Sequence, residues 1–184
     1  MRRIESEAAR MGRLVDEMLL LARLDEGRPL ERGPVDLTAL AAEAVADAAV
    51  VEPGRPLTLD ADGPVVVPGD AGRLRQVLDN LVANVRHHTP PGTAATVRVS
   101  ARGEEAVLEV VDEGPGIPPD DRERVFARFY RAAPSRPGEG TGQDGGGSGL
   151  GLSIVAAVAA AHGGRASAGD APGGGAAFRI SLPR

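Results

Sequence analysis

Cysteine is absent from the 184 residues, which excludes disulfide scaffolds, zinc–thiolate sites and cysteine nucleophiles. Lysine is absent too: all 21 basic residues are Arg, set against 26 Asp and Glu for a net charge of −5. A nucleic-acid module would normally carry the opposite balance, so no nucleic-acid partner is expected. Tryptophan is missing and aromatics make up only 2% of the chain, three Phe and one Tyr, so the core must be aliphatic. Long apolar runs are lacking as well. Met18–Ala22 and Ile154–Ala161 are too short to span a bilayer, and Met1-Arg2-Arg3 leads into a charged pattern rather than the apolar stretch of a signal peptide. What remains is a length suited to one domain with a short appendage, and enough Val, Leu and Ile to fill it. That describes a soluble, acidic domain expected in the cytoplasm.

Periodicity supplies the elements. Ile4, Ala8, Met11, Val15, Met18 and Ala22 alternate spacings of four and three over residues 4–25. This is the seam of a helical hairpin or self-associating coiled coil, or the buried face of an ordinary helix packed on its own domain. Gly27, Pro29, Gly33 and Pro34 read as a linker. Asp36 is placed to cap a helix running to about Val51, and Asp70 a helix from about Ala71 to His88. Leu57–Asp60 and Val65–Val67 are short strand candidates separated by Asp62-Gly63. Ala95–Ala101 and Ala106–Val111 alternate as a β-hairpin. The Gly-, Pro- and Ser-rich stretch from Pro134 to Gly149 is long and polar, as a functional lid is. A helix over Leu150–Ala161 and strands at Arg165–Ala168 and Ala176–Leu182, around the Gly173-Gly174-Gly175 turn, close the chain. Helices plus an antiparallel-rich sheet predict a two-layer α/β sandwich.

Three constellations carry chemistry. Asp112-Glu113-Gly114-Pro115-Gly116-Ile117 follows a strand. Its glycines admit a flat ligand close to the backbone, and its Asp can accept from an exocyclic amine. Gly147-Ser148-Gly149-Leu150-Gly151-Leu152 opens a helix and exposes N–H groups suited to phosphate. It is not a P-loop, since the Lys is missing. Asn80 and Asn84 share one side of a helix with His87 and His88 a turn on. Amide oxygens there suit Mg²⁺. Adjacent histidines do not make a zinc pair, and His162 lies in a distant glycine turn.

Taken in order, Asn80…Asn84, Asp112-x-Gly-x-Gly, Phe126-x-x-Phe129-Tyr130-Arg131 and Gly147-x-Gly-Leu-Gly-Leu resemble the N, first-glycine, F and second-glycine boxes of bacterial sensor histidine kinases. Arg3–Asp25 is similar to the second helix of that family's dimerisation and phosphoacceptor hairpin, and Phe178–Pro183 to its final strand. The resemblance implies a Bergerat-type (GHKL) α/β, or α+β, two-layer sandwich with a mixed sheet, preceded by one long N-terminal helix. It divides the chain into the hairpin's second helix, residues 1–27, and an ATP-binding catalytic domain, residues 28–184, with its lid at about 131–149. ATP and Mg²⁺ are the implied cofactors. Asp112 would accept from the adenine amine, and Gly114, Gly116 and Ile117 would lie against the base. Asn84, supported by Asn80, would ligate Mg²⁺, and Arg131 would contact phosphate. Gly147, Gly149, Leu150, Gly151 and Leu152 would frame the lid and present helix N–H groups to the triphosphate. Phe126 and Phe129 would anchor the lid's base by packing.

The chain departs from the family pattern in two respects. His87 stands where a Lys is common, so phosphate neutralisation passes to Arg86 or Arg131 if His87 is uncharged. His88 stands where an aromatic often lies against the nucleotide. In addition, no His followed by an acidic residue and a nearby Thr-Pro occurs. The phosphoacceptor is therefore expected on a helix outside this chain, and the chain is expected to be part of a longer kinase anchored in the inner membrane, with a response regulator as partner and a homodimer formed through the N-terminal helix. Related ATPases such as DNA gyrase, and anti-sigma serine kinases, place a Glu one turn before the metal-binding Asn to activate a nucleophile. Here that position is Asn80. A non-catalytic ATP-binding or dimerisation module is the other alternative.

Overall fold

The computed structural model describes residues 2–27, 30–131 and 148–184. Helix α1 (Arg2–Asp25) leads to strand β1 (Gly33–Asp36), helix α2 (Leu37–Val51), strands β2 (Leu57–Ala61) and β3 (Val66–Gly69) and helix α3 (Ala71–His88). The hairpin β4 (Ala95–Arg102) and β5 (Glu105–Asp112) follows, then two 3-10 turns (Pro119–Asp121, Arg124–Phe126), helix α4 (Gly151–Ala161) and strands β6 (Arg165–Asp170) and β7 (Ala176–Pro183). Five strands form one mixed sheet in the order β2-β4-β5-β7-β6. Only β2 and β4 run parallel. Leu37, Leu74, Leu78, Leu81, Ile154 and Val158, from α2, α3 and α4, are fully buried against Val97, Leu108, Val110 and Ile180 of the sheet. The expected two-layer α+β sandwich with a mixed sheet is what forms.

Both expected caps are in place. Asp36 accepts from the N–H groups of Thr38 and Ala39, and Asp70 from that of Arg73, which satisfies donors a helix start otherwise leaves orphaned. On the open face of the sheet, Glu109 meets Arg179 at 2.7 Å and Arg98 at 3.7 Å, and Arg98 meets Asp60 at 3.3 Å. This cross-strand row accounts for a glutamate inside an otherwise apolar strand.

Two local readings change. Part of the linker is a strand: β1 pairs antiparallel with β3, setting Val35 opposite Val67. β2 and β3, on either side of Asp62-Gly63, each pair with a strand distant in sequence. In α1 the face turned to the domain is Leu14, Leu20, Leu21 and Leu24. Of the predicted seam, Met11 is 60%, Val15 55% and Met18 52% exposed, so the alternative of a face buried on its own domain does not hold for these residues. No helix among the described residues is long and apolar enough to cross a membrane.

Candidate functional site

A cavity of about 540 Å³ opens between the second half of α3, the turn after β5, the Phe126–Arg131 stretch and the start of α4, with Leu14 and Glu17 of α1 at its edge. Its size suits a small-molecule ligand. Asn80, Asn84, His87, His88 and Arg131 line it, as do Asp112, Gly116, Ile117, Gly149, Gly151 and Leu152. Two of the described site residues do not. Gly114 packs behind the wall, where an added Cβ would meet the Thr89 methyl at 2.6 Å. Leu150 is fully buried in the core and seats α4 rather than facing a ligand. Gly147 and most of the 131–149 segment lie outside the described residues.

At one end of the cavity sits Asp112, 3% exposed. Its Oδ1 accepts from the backbone N–H of Gly114 at 2.8 Å and of Ala176 at 3.2 Å. Both donors fall on one oxygen, so Oδ2 is left for a ligand. The second donor comes from β7, a contribution the sequence reading did not assign. Gly175, just before it, explains how the strands come so close: a Cβ there would lie 1.9 Å from the Asp112 carbonyl oxygen. The three-glycine turn read only as a chain reversal thus abuts the Asp112–Ile117 turn.

The α3 wall presents amides and imidazoles. Asn80 donates its Nδ2 to the Gly151 carbonyl at 3.3 Å, tying α3 to the first turn of α4. Asn84, one turn on, makes no such tie and faces the cavity. Burial first, then Arg86 and His88, hold the His87 imidazole below its ordinary value of 6.5; burial and Arg131 do the same for His88, against a raising influence of Asp112. The charged form of both is thus disfavoured, and the permanent cations lining the cavity among the described residues are Arg86 and Arg131. His162 lies elsewhere: it is 4% exposed, its Nδ1–H donates to the Val158 carbonyl and its Nε2 accepts from Asp70 N–H. With both ring nitrogens committed, it joins the end of α4 to the start of α3.

At the other end, the N–H groups of Gly151, Leu152 and Ser153 precede the first intrahelical bond, Ile154 N–H to the Leu150 carbonyl, and carry the positive end of the helix dipole. Ser148 accepts from Leu150 N–H and donates to Glu17 at 2.8 Å, and Arg128 pairs with Asp25, so α1 rests on this end. The stretch before α4 is clasped to the aromatic motif: Phe129 N–H donates to the Gly149 carbonyl at 2.9 Å, with left-handed φ at both residues, 61° and 72°. A Cβ at Gly149 would lie 3.0 Å from the Phe129 Cα. Phe126 packs on the core as expected. Phe129 does not: the residue is 57% exposed, and it anchors through its backbone.

Residues 69–184 match the sequence profile of a family described as histidine kinase-, DNA gyrase B- and HSP90-like ATPase. The probable sensor histidine kinase TcrY of Mycobacterium tuberculosis is 50% identical over 184 residues, covering all of this chain and 38% of that protein. The chain thus spans well under half the length of this relative. A structure of the mycobacterial sensor histidine kinase MprB is similar at a TM-score of 0.69 and 32% identity, covering 83% of this chain and 97% of that one. Full-length ShkA in complex with AMPPNP is similar at a TM-score of 0.74 and 31% identity, covering 92% and 35%.

Proposed function

The chain belongs to the family of histidine kinase-, DNA gyrase B- and HSP90-like ATPases, and from that premise we propose that it is the ATP-binding catalytic part of a bacterial sensor histidine kinase, transferring the γ-phosphoryl of Mg²⁺-bound ATP to a histidine on another segment. Residues 1–27 act as the second helix of the hairpin that would carry that histidine, and 28–184 as the catalytic domain. The parent protein is anchored in the inner membrane and passes the phosphoryl group to a response regulator.

Asp112 Oδ2 takes the adenine amine while Oδ1 stays on its two backbone donors. Gly116 and Ile117 lie against the base, and His88 packs beside it. The triphosphate extends toward the N–H groups at the start of α4 and toward Arg131. The cavity fits a metal as well: Asn84 offers a hard, uncommitted amide oxygen on the wall facing those donors, and Asn80, its nitrogen tied to Gly151, can add only its own oxygen. Mg²⁺, when bound, screens the phosphate charges and stabilises those that develop during transfer. The protein's share is to hold the phosphates in line and leave the far side open to an incoming imidazole.

One observation favours kinase over hydrolase or serine kinase. Asn80 occupies the wall position from which a carboxylate would activate water or a hydroxyl, and its amide is a structural tie. The described carboxylates lining the cavity are Asp112 and Glu17, and both are engaged. The nucleophile must therefore supply its own activation, as an imidazole beside a carboxylate can. The test supplies a helical fragment bearing His-Glu/Asp-x-x-Thr-Pro, with labelled ATP. Acid-labile label should appear on the fragment, slowly and in proportion to its concentration, because tethering is lost. None should appear on this chain alone. Label on this chain, or ATP binding without any transfer to the fragment, would overturn the reading; the second result would leave a non-catalytic ATP-binding module.

A further inference from the structure

Arg55 lies in the connection between α2 and β2, outside every motif, yet it is the one arginine among the described residues in the buried class, at 9% exposure. All three of its guanidinium nitrogens are engaged. Nε donates to Glu52 at 2.9 Å, Nη1 to the Thr89 hydroxyl at 2.7 Å and the Thr93 carbonyl at 3.0 Å, and Nη2 to the Pro90 carbonyl at 3.2 Å. Three of these four acceptors belong to the segment by which the chain leaves α3. A planar fork can reach all of them at once, whereas an ammonium cannot.

The consequence passes through Thr89. Its hydroxyl accepts from Arg55 and donates to the Val85 carbonyl at 2.7 Å, so the oxygen is held from both sides. The methyl group is then turned to Gly114, close enough that any side chain there would collide with it. Gly114 in turn donates its N–H to Asp112 Oδ1. Thr89 lines the main cavity. Arg55 lines a separate one on the α2 side, so it acts on the site from behind.

We infer that Arg55 is a positioning residue for the adenine end of the pocket, setting the Asp112 carboxylate through Thr89 and Gly114. The inference rests on the ATP reading above, and its test separates the two ends of the nucleotide. Adenosine and Mg²⁺-tripolyphosphate are titrated by competition against a fluorescent ATP analogue, with thermal unfolding followed in parallel. Arg55→Lys should weaken adenosine by about tenfold and tripolyphosphate by less than about twofold, since the lost hydrogen bonds support only the first. Thr89→Val keeps the shape of the side chain and the other three acceptors of Arg55. It should weaken adenosine by about threefold, and adding it to Arg55→Lys should cost nothing more, because the two residues act in one chain.

Unchanged adenosine affinity in Arg55→Lys, or equal losses at both ends, would overturn the inference, the latter marking Arg55 as a general brace. Should Arg55→Lys fail to fold, Thr89→Val decides alone: unchanged adenosine affinity there removes the proposed route. A wild-type chain that binds neither adenosine nor ATP would overturn the ATP reading itself, a result distinct from wild-type binding with an indifferent Arg55.

Discussion

Replacing Asp112 with Asn exchanges one oxygen for an NH₂ group in a side chain that has almost no freedom to adapt. The residue is buried, and Oδ1 holds the N–H groups of Gly114 and Ala176. Asn can keep both bonds only by leaving its oxygen in that place, which turns the NH₂ into the pocket where, on the proposed reading, the adenine amine needs an acceptor. The opposite orientation restores an acceptor to the ligand and orphans two backbone donors. A hydrogen bond to a charged group is worth about 1.5–3 kcal/mol, so the first orientation should raise the Kd for adenosine and ATP by about 10- to 100-fold. The fold itself should lose less than about 1 kcal/mol, because its backbone bonds persist with a neutral acceptor. Calorimetry with adenosine, ATP and tripolyphosphate, together with urea unfolding, measures each part. ATP affinity unchanged in Asp112→Asn would refute the adenine assignment. Tripolyphosphate weakened as much as ATP would show that the substitution disturbs the whole cavity.

If Asn84 holds the metal as proposed, Asn84→Ala should abolish most of the Mg²⁺ dependence of ATP binding and leave adenosine, which carries no phosphates, within about twofold; a parallel loss of adenosine would contradict the metal role. For His87 and His88, the folded chain binds fewer protons than the unfolded one between their lowered values and the ordinary 6.5. Their contribution to stability is therefore present above about pH 6.5 and is lost as the pH falls through that window. Bound triphosphate favours the charged imidazoles, so nucleotide affinity should tighten over the same fall, and more steeply in wild type than in the double variant His87→Gln, His88→Gln. Equal pH slopes in the two proteins would refute this. His162→Ala orphans the Asp70 N–H and empties a packed site, and should cost about 2–4 kcal/mol in urea unfolding while ATP affinity at saturating folded protein stays unchanged. A nucleotide-specific defect in this variant would show that the tie has a second role.

The elements that the sequence shows most openly are those whose signals are local. The α3 helix carries its cap at Asp70 and an apolar stripe ending at Val85, and β4–β5 is a hairpin with its turn between. The turn after β5 is legible for the same reason: Asp112 and Gly114 stand two residues apart, and their bond spans two residues. Pairings made across sequence distance left no such trace. β1 hides in a Gly–Pro stretch, with Pro34 set opposite Pro68, residues that ordinarily argue against a strand. The parallel partner of β2 is 38 residues away. Arg55 looks like a turn residue between Gly54 and Pro56 until the chain returns Thr89 to it. In α1 two apolar stripes compete, and periodicity alone selected the one that this domain leaves exposed.

The clasp between Phe129 and Gly149 has a thermodynamic meaning beyond its place beside the pocket. A left-handed phenylalanine costs on the order of 1–3 kcal/mol, and here the strained residue also donates its N–H to Gly149, on a separate segment of the chain. What offsets the strain is therefore not a local preference of Phe129 but the fit of the two backbones against each other, so close that a Cβ at Gly149 would crowd the Phe129 Cα. The conformation of Phe129 thus reports whether the start of α4 is seated: without that partner, nothing among the described residues compensates its left-handed backbone.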